Sequence, residues 1–138
     1  MRILCLDVGQ QRIGLAISDG LGLTAQGLST LTRKDIENDL CALREIIRAH
    51  KVKEIVVGLP LNMDGTFGKK AKEVVDFVGI LEQRLGSPVK VWDERLTTLE
   101  AEATLLAADL SRKKRRKVVD RLAAQLILQS YLDSKKDV

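Results

Sequence analysis

The chain has 138 residues, of which 45% are hydrophobic, 30% charged and only 3% aromatic. That length and balance fit one compact domain with its own core, spanning 1–138, and exclude a disordered, fibrous or disulfide-stapled chain. The net charge of +4 is local: residues 111–117 hold six cations and no acid, leaving 17 basic against 19 acidic side chains elsewhere, a net of −2.

Such a cluster on a near-neutral body points to an anionic polymer held at one place by phosphate contacts; the plainer reading is a solvated basic loop. The scarcity of aromatics argues against broad base-stacking platforms. Cys5 and Cys41 lie far apart and form no CxxC pair, so they read as reduced core thiols. The apolar start is broken by Asp7, no small-residue cleavage pattern follows, and no run reaches the roughly 18 apolar residues of a membrane span. The expectation is a cytoplasmic protein with no membrane partner.

In chain order, "RILCLDV" at residues 2–8 is apolar on both parities and suits a strand covered on both faces. "RIGLAISD" at 12–19 follows after the tight "GQQ", a hairpin with Gly9 at the permissive turn position. A third strand lies within 26–32. Ile36, Leu40, Leu43 and Ile47 then recur at helical spacing, with Thr32 and Asp35 as a capping pair and the end near His50.

"KEIVVGLP" is a buried strand stopped by Gly58 and Pro60; a polar turn and a helix over 69–85 follow, then a fifth strand at 88–92. Thr97 and Glu100 open a further helix, the basic run comes next as a loop, and a last helix fills 117–133. Three strands in an antiparallel meander, then two strands joined through crossover helices, give an α/β fold with a mixed five-stranded sheet and helices on both faces.

Acids stand at three places where acids are costly. Asp7 closes a strand of apolar neighbours, and an unpaired charge there is expensive to bury. Asp93 and Glu94 end another buried strand, at the carboxyl edge where open α/β sheets place ligands; helices on both faces leave the choice between the two open. Asp120 lies within about 20° of Ile127 and Tyr131 on its helix, and about 100° or more from Arg121 and Gln125.

Each acid alone has a structural explanation: Asp7 bracing the turn at Gly9, Asp93 or Glu94 pairing with Arg95, Asp120 pairing with Arg116 or Arg121. Together they form a cluster that repels itself unless a cation neutralises it. Oxygen ligands without histidine or cysteine suit Mg²⁺ or Mn²⁺ over Zn²⁺. Beside the basic run Arg112, Lys113, Lys114, Arg115, Arg116 and Lys117, such a cluster fits two-metal phosphodiester hydrolysis, with two ions and the run holding the backbone. His50 at a helix C-terminus is a surface cap. "GTFGKK" has neither the spacing nor the Ser/Thr of a Walker A loop. The first hairpin also resembles that of actin-like ATPases, but this chain has room for one lobe where they have two.

The segments "LDVGQQRIGLAISD" (6–19), "VVGLPLNMDGT" (56–66), "VWDERLTT" (91–98) and "VDRLAAQLILQSYL" (119–132) together resemble the YqgF or RuvX family of ribonuclease H-like proteins, over essentially the whole chain. The resemblance implies a ribonuclease H fold with sheet order 3-2-1-4-5, and carries metal binding and catalysis onto Asp7, Glu94 and Asp120. It favours Glu94 over Asp93, which stays a second candidate. Gly9, Asn62, Asp93, Arg95, Thr97 and Thr98 would support the site. It implies a nuclease trimming the 5′ end of precursor 16S ribosomal RNA, or a Holliday junction resolvase on branched DNA, as monomer or homodimer. A non-catalytic RNA-binding assembly factor is the third expectation. Phosphate contacts position a substrate without naming its sequence.

Overall fold

The computed structural model describes the backbone of residues 2–96 and 112–136, with side chains for 2–95 and 121–135. Strands β1 (Arg2–Val8), β2 (Arg12–Ser18), β3 (Ala25–Gly27) and β4 (Leu31–Thr32) come first. Helix α1 (Ile36–His50), β5 (Val52–Leu59), α2 (Lys69–Leu85), β6 (Val89–Asp93), a 3-10 turn (Glu94–Leu96) and helix α3 (Arg112–Lys136) follow.

The sheet is six-stranded, in the order β3-β2-β1-β5-β6, with the two-residue β4 beside β2. β1 and β2 pair antiparallel, β2 takes β3 and β4 antiparallel, and β1, β5 and β6 run parallel. The expected mixed sheet and its order are present, but the expected third strand is two short ones. The pairing is interrupted between Gly27 and Leu31, where the Leu28 amide still donates to the Leu15 carbonyl at 2.8 Å, and Thr32 pairs with Arg12. That pairing takes Thr32 out of helix capping: Asp35 is the N-cap of α1 and accepts from the Asn38 amide at 2.8 Å. β5 runs through Gly58, which does not stop it, and ends at Leu59, before the expected stop at Pro60.

Alternation along the strands divides the core in two. Leu4 and Leu6 of β1, Ile55, Val57 and Leu59 of β5 pack with Leu40, Leu43, Val74 and Phe77 of α1 and α2. Cys5 of β1, Ala16 of β2 and Val56 of β5 pack with Ala124, Ile127, Leu128 and Tyr131 of α3. α3 is also fixed to the sheet edge. Gln129 Oε1 accepts from the Ala25 amide at 2.9 Å and Gln125 Nε2 donates to the Ala25 carbonyl at 3.2 Å, giving the outer backbone groups of edge strand β3 a partner.

α3 begins at Arg112, so the basic run is helical, not a loop before a helix at 117. Lysine and arginine are good helix formers and no breaker separates them from the apolar half. The helix expected from Thr97 lies outside the described residues. No described helix is long and apolar enough to cross a membrane.

Candidate active site

The site is built at the carboxyl ends of the parallel strands. Asp7 is two residues beyond Cys5 on β1, which puts it on the α3 face of the sheet, while Leu6 and Val8 serve the opposite core. Glu94 follows the last residue of β6. Two residues earlier Trp92 packs on the α3 core, its ring edge-on to Tyr131 at 5.4 Å and its indole N–H donating to Ser130 Oγ at 3.1 Å. Trp92 thereby fixes the strand end from which Glu94 departs.

Between them lies Gly58. A Cβ there would stand 2.8 Å from Glu94 Oε1 and 2.7 Å from Ile127 Cδ1. The absent side chain is the space through which Glu94 turns back over β5. Gly9 serves the hairpin similarly: its N–H donates to the Arg12 carbonyl at 2.8 Å, and a Cβ would meet that oxygen at 2.9 Å.

Asp7, on β1, and Glu94, just past the end of β6, act on one buried group. The Cys5 thiol has no exposed surface, and burial first, then the negative charges of Asp7 and Glu94, hold its pKa well above the ordinary thiol value. Burial leaves the thiol inside the α3 core, beneath the two acids. What remains is a pair of hard carboxylate donors, which fits Mg²⁺ or Mn²⁺ and not a soft-ligand metal. Among the described side chains no third acid, histidine or cysteine completes a metal cluster.

Asp93 has a different position. It lies opposite Leu59 across the β5–β6 ladder, on the parity of the α1/α2 face. Its carboxylate accepts from Arg95 Nη2 at 2.7 Å, from Arg95 Nε at 3.0 Å and from the Arg95 amide at 2.9 Å. The Arg95 guanidinium holds its pKa below the ordinary aspartate value. Arg95 Nη1 also donates to the Met63 carbonyl at 3.3 Å, clamping the loop after β5. Asn62 organises that loop from within: its amide N–H donates to the Thr66 carbonyl at 3.0 Å, its side-chain Nδ2 to Thr66 Oγ1 at 3.0 Å, and its carbonyl accepts from Gly65 at 2.8 Å.

Asp120 lies on α3 two turns ahead of Ile127, on the same stripe. α3 runs against β5: Tyr131 bonds to Glu54 near the start of that strand, and Ile127 reaches Gly58 near its end. Residue 120 is thus toward the carboxyl ends of the strands. Its side chain, and those of Arg112, Lys113, Lys114, Arg115, Arg116 and Lys117, are outside the described set, as are Thr97 and Thr98. Sequence reasoning missed Cys5 as the group shared by the two acids and Gly58 as the opening for one of them. A glycine inside the apolar run "IVVGL" was the available signal.

A mixed sheet of this order, flanked by helices, with strand-end acids on its α3 face, defines a ribonuclease H-like fold. RuvC of T. thermophilus in complex with a Holliday junction substrate superposes with a TM-score of 0.62 at 15% identity, covering 100% of this chain and 97% of that one. The Fowlpox virus resolvase in complex with Holliday junction DNA gives 0.60 at 14%, covering 98% and 99%. At sequence level, the profile of the RuvX family, described as Holliday junction resolvase, matches residues 1–134. A protein of Halothermothrix orenii is 53% identical over 96% of this chain and 95% of its own length. One of Clostridium acetobutylicum is 52% identical over 97% and 99%. Both carry the name "Putative pre-16S rRNA nuclease". The chain belongs to the RuvX family.

Proposed function

We propose that this protein is a metal-dependent phosphodiester hydrolase that trims precursor 16S ribosomal RNA in the cytoplasm. Asp7, Glu94 and Asp120 would hold Mg²⁺ or Mn²⁺, and Arg112 to Lys117 would hold the RNA backbone. The observation that carries this reading is the position of Glu94. It crosses Gly58 onto the face that bears Asp7, next to Ile127 on the helix stripe that also includes Asp120. Bringing acids together without a cation is unfavourable, and hard divalent ions are the cations their oxygens select.

When bound, such ions polarise the attacked phosphate and the attacking water and stabilise the leaving oxygen. The chain's own part is to fix the donors. Asp7 is held by the β1 ladder, Glu94 by the Trp92 anchor, and the neighbouring loop by the Arg95 clamp. Gly9, Asn62, Asp93, Arg95, Thr97 and Thr98 would support this frame. The RNA substrate is favoured by the names of the relatives that match nearly the whole chain.

The second reading, a resolvase cutting branched DNA, is favoured by the description of the family and by the junction-bound structural neighbours. It requires two active sites, and so a dimer. Cleavage of precursor rRNA and of a four-way junction, side by side with Mg²⁺ or Mn²⁺, tests both readings. Shortening of the rRNA by wild type and not by Asp7→Asn supports the first; paired incisions in the junction alone support the second. RNA binding that survives Asp7→Asn, without any metal-dependent product, would leave a non-catalytic assembly factor.

A further inference from the structure

Of the chain's two phenylalanines, one tyrosine and one tryptophan, Phe77 and Tyr131 are buried and Trp92 is half-buried against the α3 core. Phe67 is the exception, 63% exposed on the loop between β5 and α2, and Met63 on the same loop is 88% exposed. The loop is fixed by its own hydrogen bonds. Besides the Asn62 bonds already described, Asp64 Oδ1 accepts from the Thr66 amide at 3.0 Å and from Thr66 Oγ1 at 2.6 Å, and a Cβ on Gly68 would stand 3.1 Å from Asn62 Oδ1. Phe67 therefore sits between two residues, Thr66 and Gly68, that both lie against Asn62. An apolar contact offered on a preformed loop binds with little ordering cost.

This loop is tied to the acid site. Arg95 is next in sequence to Glu94, and its Nη1 reaches the Met63 carbonyl at 3.3 Å. Charge decides which part of a nucleic acid the loop can meet. Of residues 60–68 only Asp64 is charged, and Asp93 takes the guanidinium of Arg95, so a phosphate is disfavoured beside Phe67. The flat, uncharged face of a base is not. Size decides against a protein partner: an aromatic side chain buries about 150–250 Å², whereas a stable interface takes about 800 Å² from each partner.

From this juxtaposition we infer that Phe67 stacks an unpaired nucleobase of the RNA beside the bond cut at the acids, with Met63 as a second apolar contact. The inference rests on the nuclease reading for the polymer that reaches Glu94. A base inside a duplex has its faces covered by its neighbours, so the loop selects an unpaired nucleotide at the cut. Every base has a π-face, so it does this without reading which base is there. The basic run of α3 supplies phosphate contacts, and the loop supplies the base contact.

The test is binding of a fluorescein-labelled single-stranded RNA, and of the same sequence as a duplex, to the full chain in EDTA, followed by anisotropy over a series of KCl concentrations. Phe67→Ala should weaken single-strand binding about tenfold, within the range of one base–aromatic stack. The log–log salt slope should not change, because no phosphate contact is lost. Phe67→Trp should bind as wild type does, and Phe67→Leu as Phe67→Ala does, since the contact needs a ring and not only apolar area. Met63→Ala should weaken binding less than Phe67→Ala. Duplex binding should respond to none of these changes.

Unchanged single-strand affinity in Phe67→Ala, while replacement of Lys113 and Lys114 weakens binding, would overturn the loop assignment and leave the nuclease reading standing. Wild-type affinity in Phe67→Leu, or an equal loss on the duplex, would overturn stacking on an unpaired base. A wild-type dimer in sedimentation that Phe67→Ala dissociates would make the loop a contact between two copies of the chain and overturn the inference as well. A wild type that binds no RNA would overturn both the inference and the nuclease reading.

Discussion

The carboxylate of Glu94 lies across Gly58, where a Cβ would meet Glu94 Oε1 at 2.8 Å and Ile127 Cδ1 at 2.7 Å. Gly58→Ala must therefore displace either the acid or the helix side chain. Overpacking of this kind costs about 1–3 kcal/mol. The variant should lose stability by that amount in urea denaturation and should lose cleavage at least about tenfold when assayed fully folded, since small misplacements of a catalytic group are costly. Full specific activity in folded Gly58→Ala would show that the place of Glu94 is immaterial to the reaction.

Metal binding can be read without catalysis. Mn²⁺ should raise the melting temperature of wild type, because a ligand that binds only the folded state adds about 2.7 kcal/mol at a hundredfold excess over Kd. Asp7→Asn should lose that response. A wild type whose melting curve ignores Mn²⁺ and Mg²⁺ would argue against the carboxylate site.

Asp93 and Arg95 give an acid-dependent contribution to stability. The folded-state pKa of Asp93 is lowered, chiefly by the side-chain hydrogen bond from Arg95. The pair therefore contributes fully above the ordinary aspartate range, and its contribution disappears as pH falls through the lowered value. Asp93→Asn should be less stable than wild type at neutral pH, and the gap should close in acid. Denaturant midpoints for both proteins at neutral and acidic pH measure this. A gap independent of pH would assign the loss to packing.

Tyr131 gives the opposite sign. Its hydroxyl donates to Glu54 Oε1, and burial together with that carboxylate raises its pKa from 10.0 to about 12. The neutral phenol is the favoured form, so the stabilisation is complete below about pH 10 and is lost as pH climbs towards 12. Tyr131 is the one tyrosine of the chain, so phenolate absorbance reports it alone. The titration should show little phenolate at pH 10, and Tyr131→Phe should cost about 1–3 kcal/mol through the lost hydrogen bond to a charged acceptor. An ordinary midpoint near 10 would mean that α3 does not dock on β5 in this way.

The strands and helices were largely legible in the sequence because their signals are local. The apolar run of β1 and the helical spacing of Ile36, Leu40, Leu43 and Ile47 can be read within a few neighbouring residues. Asp7 and Asp120 were noticed because an acid among apolar neighbours is costly wherever the chain goes, and the pair Asp93 and Glu94 because it ends a buried strand at the carboxyl edge. Less was legible where two distant segments compete for one residue. Thr32 has the composition of a helix cap, yet it pairs with Arg12; the basic run was expected as a loop, yet it continues into α3.

What the sequence determined by itself was the alternation of strands and helices and the existence of misplaced acids, since both follow from periodicity and solvation cost along a single stretch. The family resemblance favoured Glu94 over Asp93, but only the tertiary structure supplied the physical difference between them. Asp93 falls opposite Leu59 and is taken by Arg95, whereas Glu94 finds the opening at Gly58. That separation depends on the register of β6 against β5 and on a missing side chain some thirty-six positions earlier. Neither is encoded in the residues around the two acids, because contacts between distant segments are fixed only when the sheet pairs and α3 closes over it.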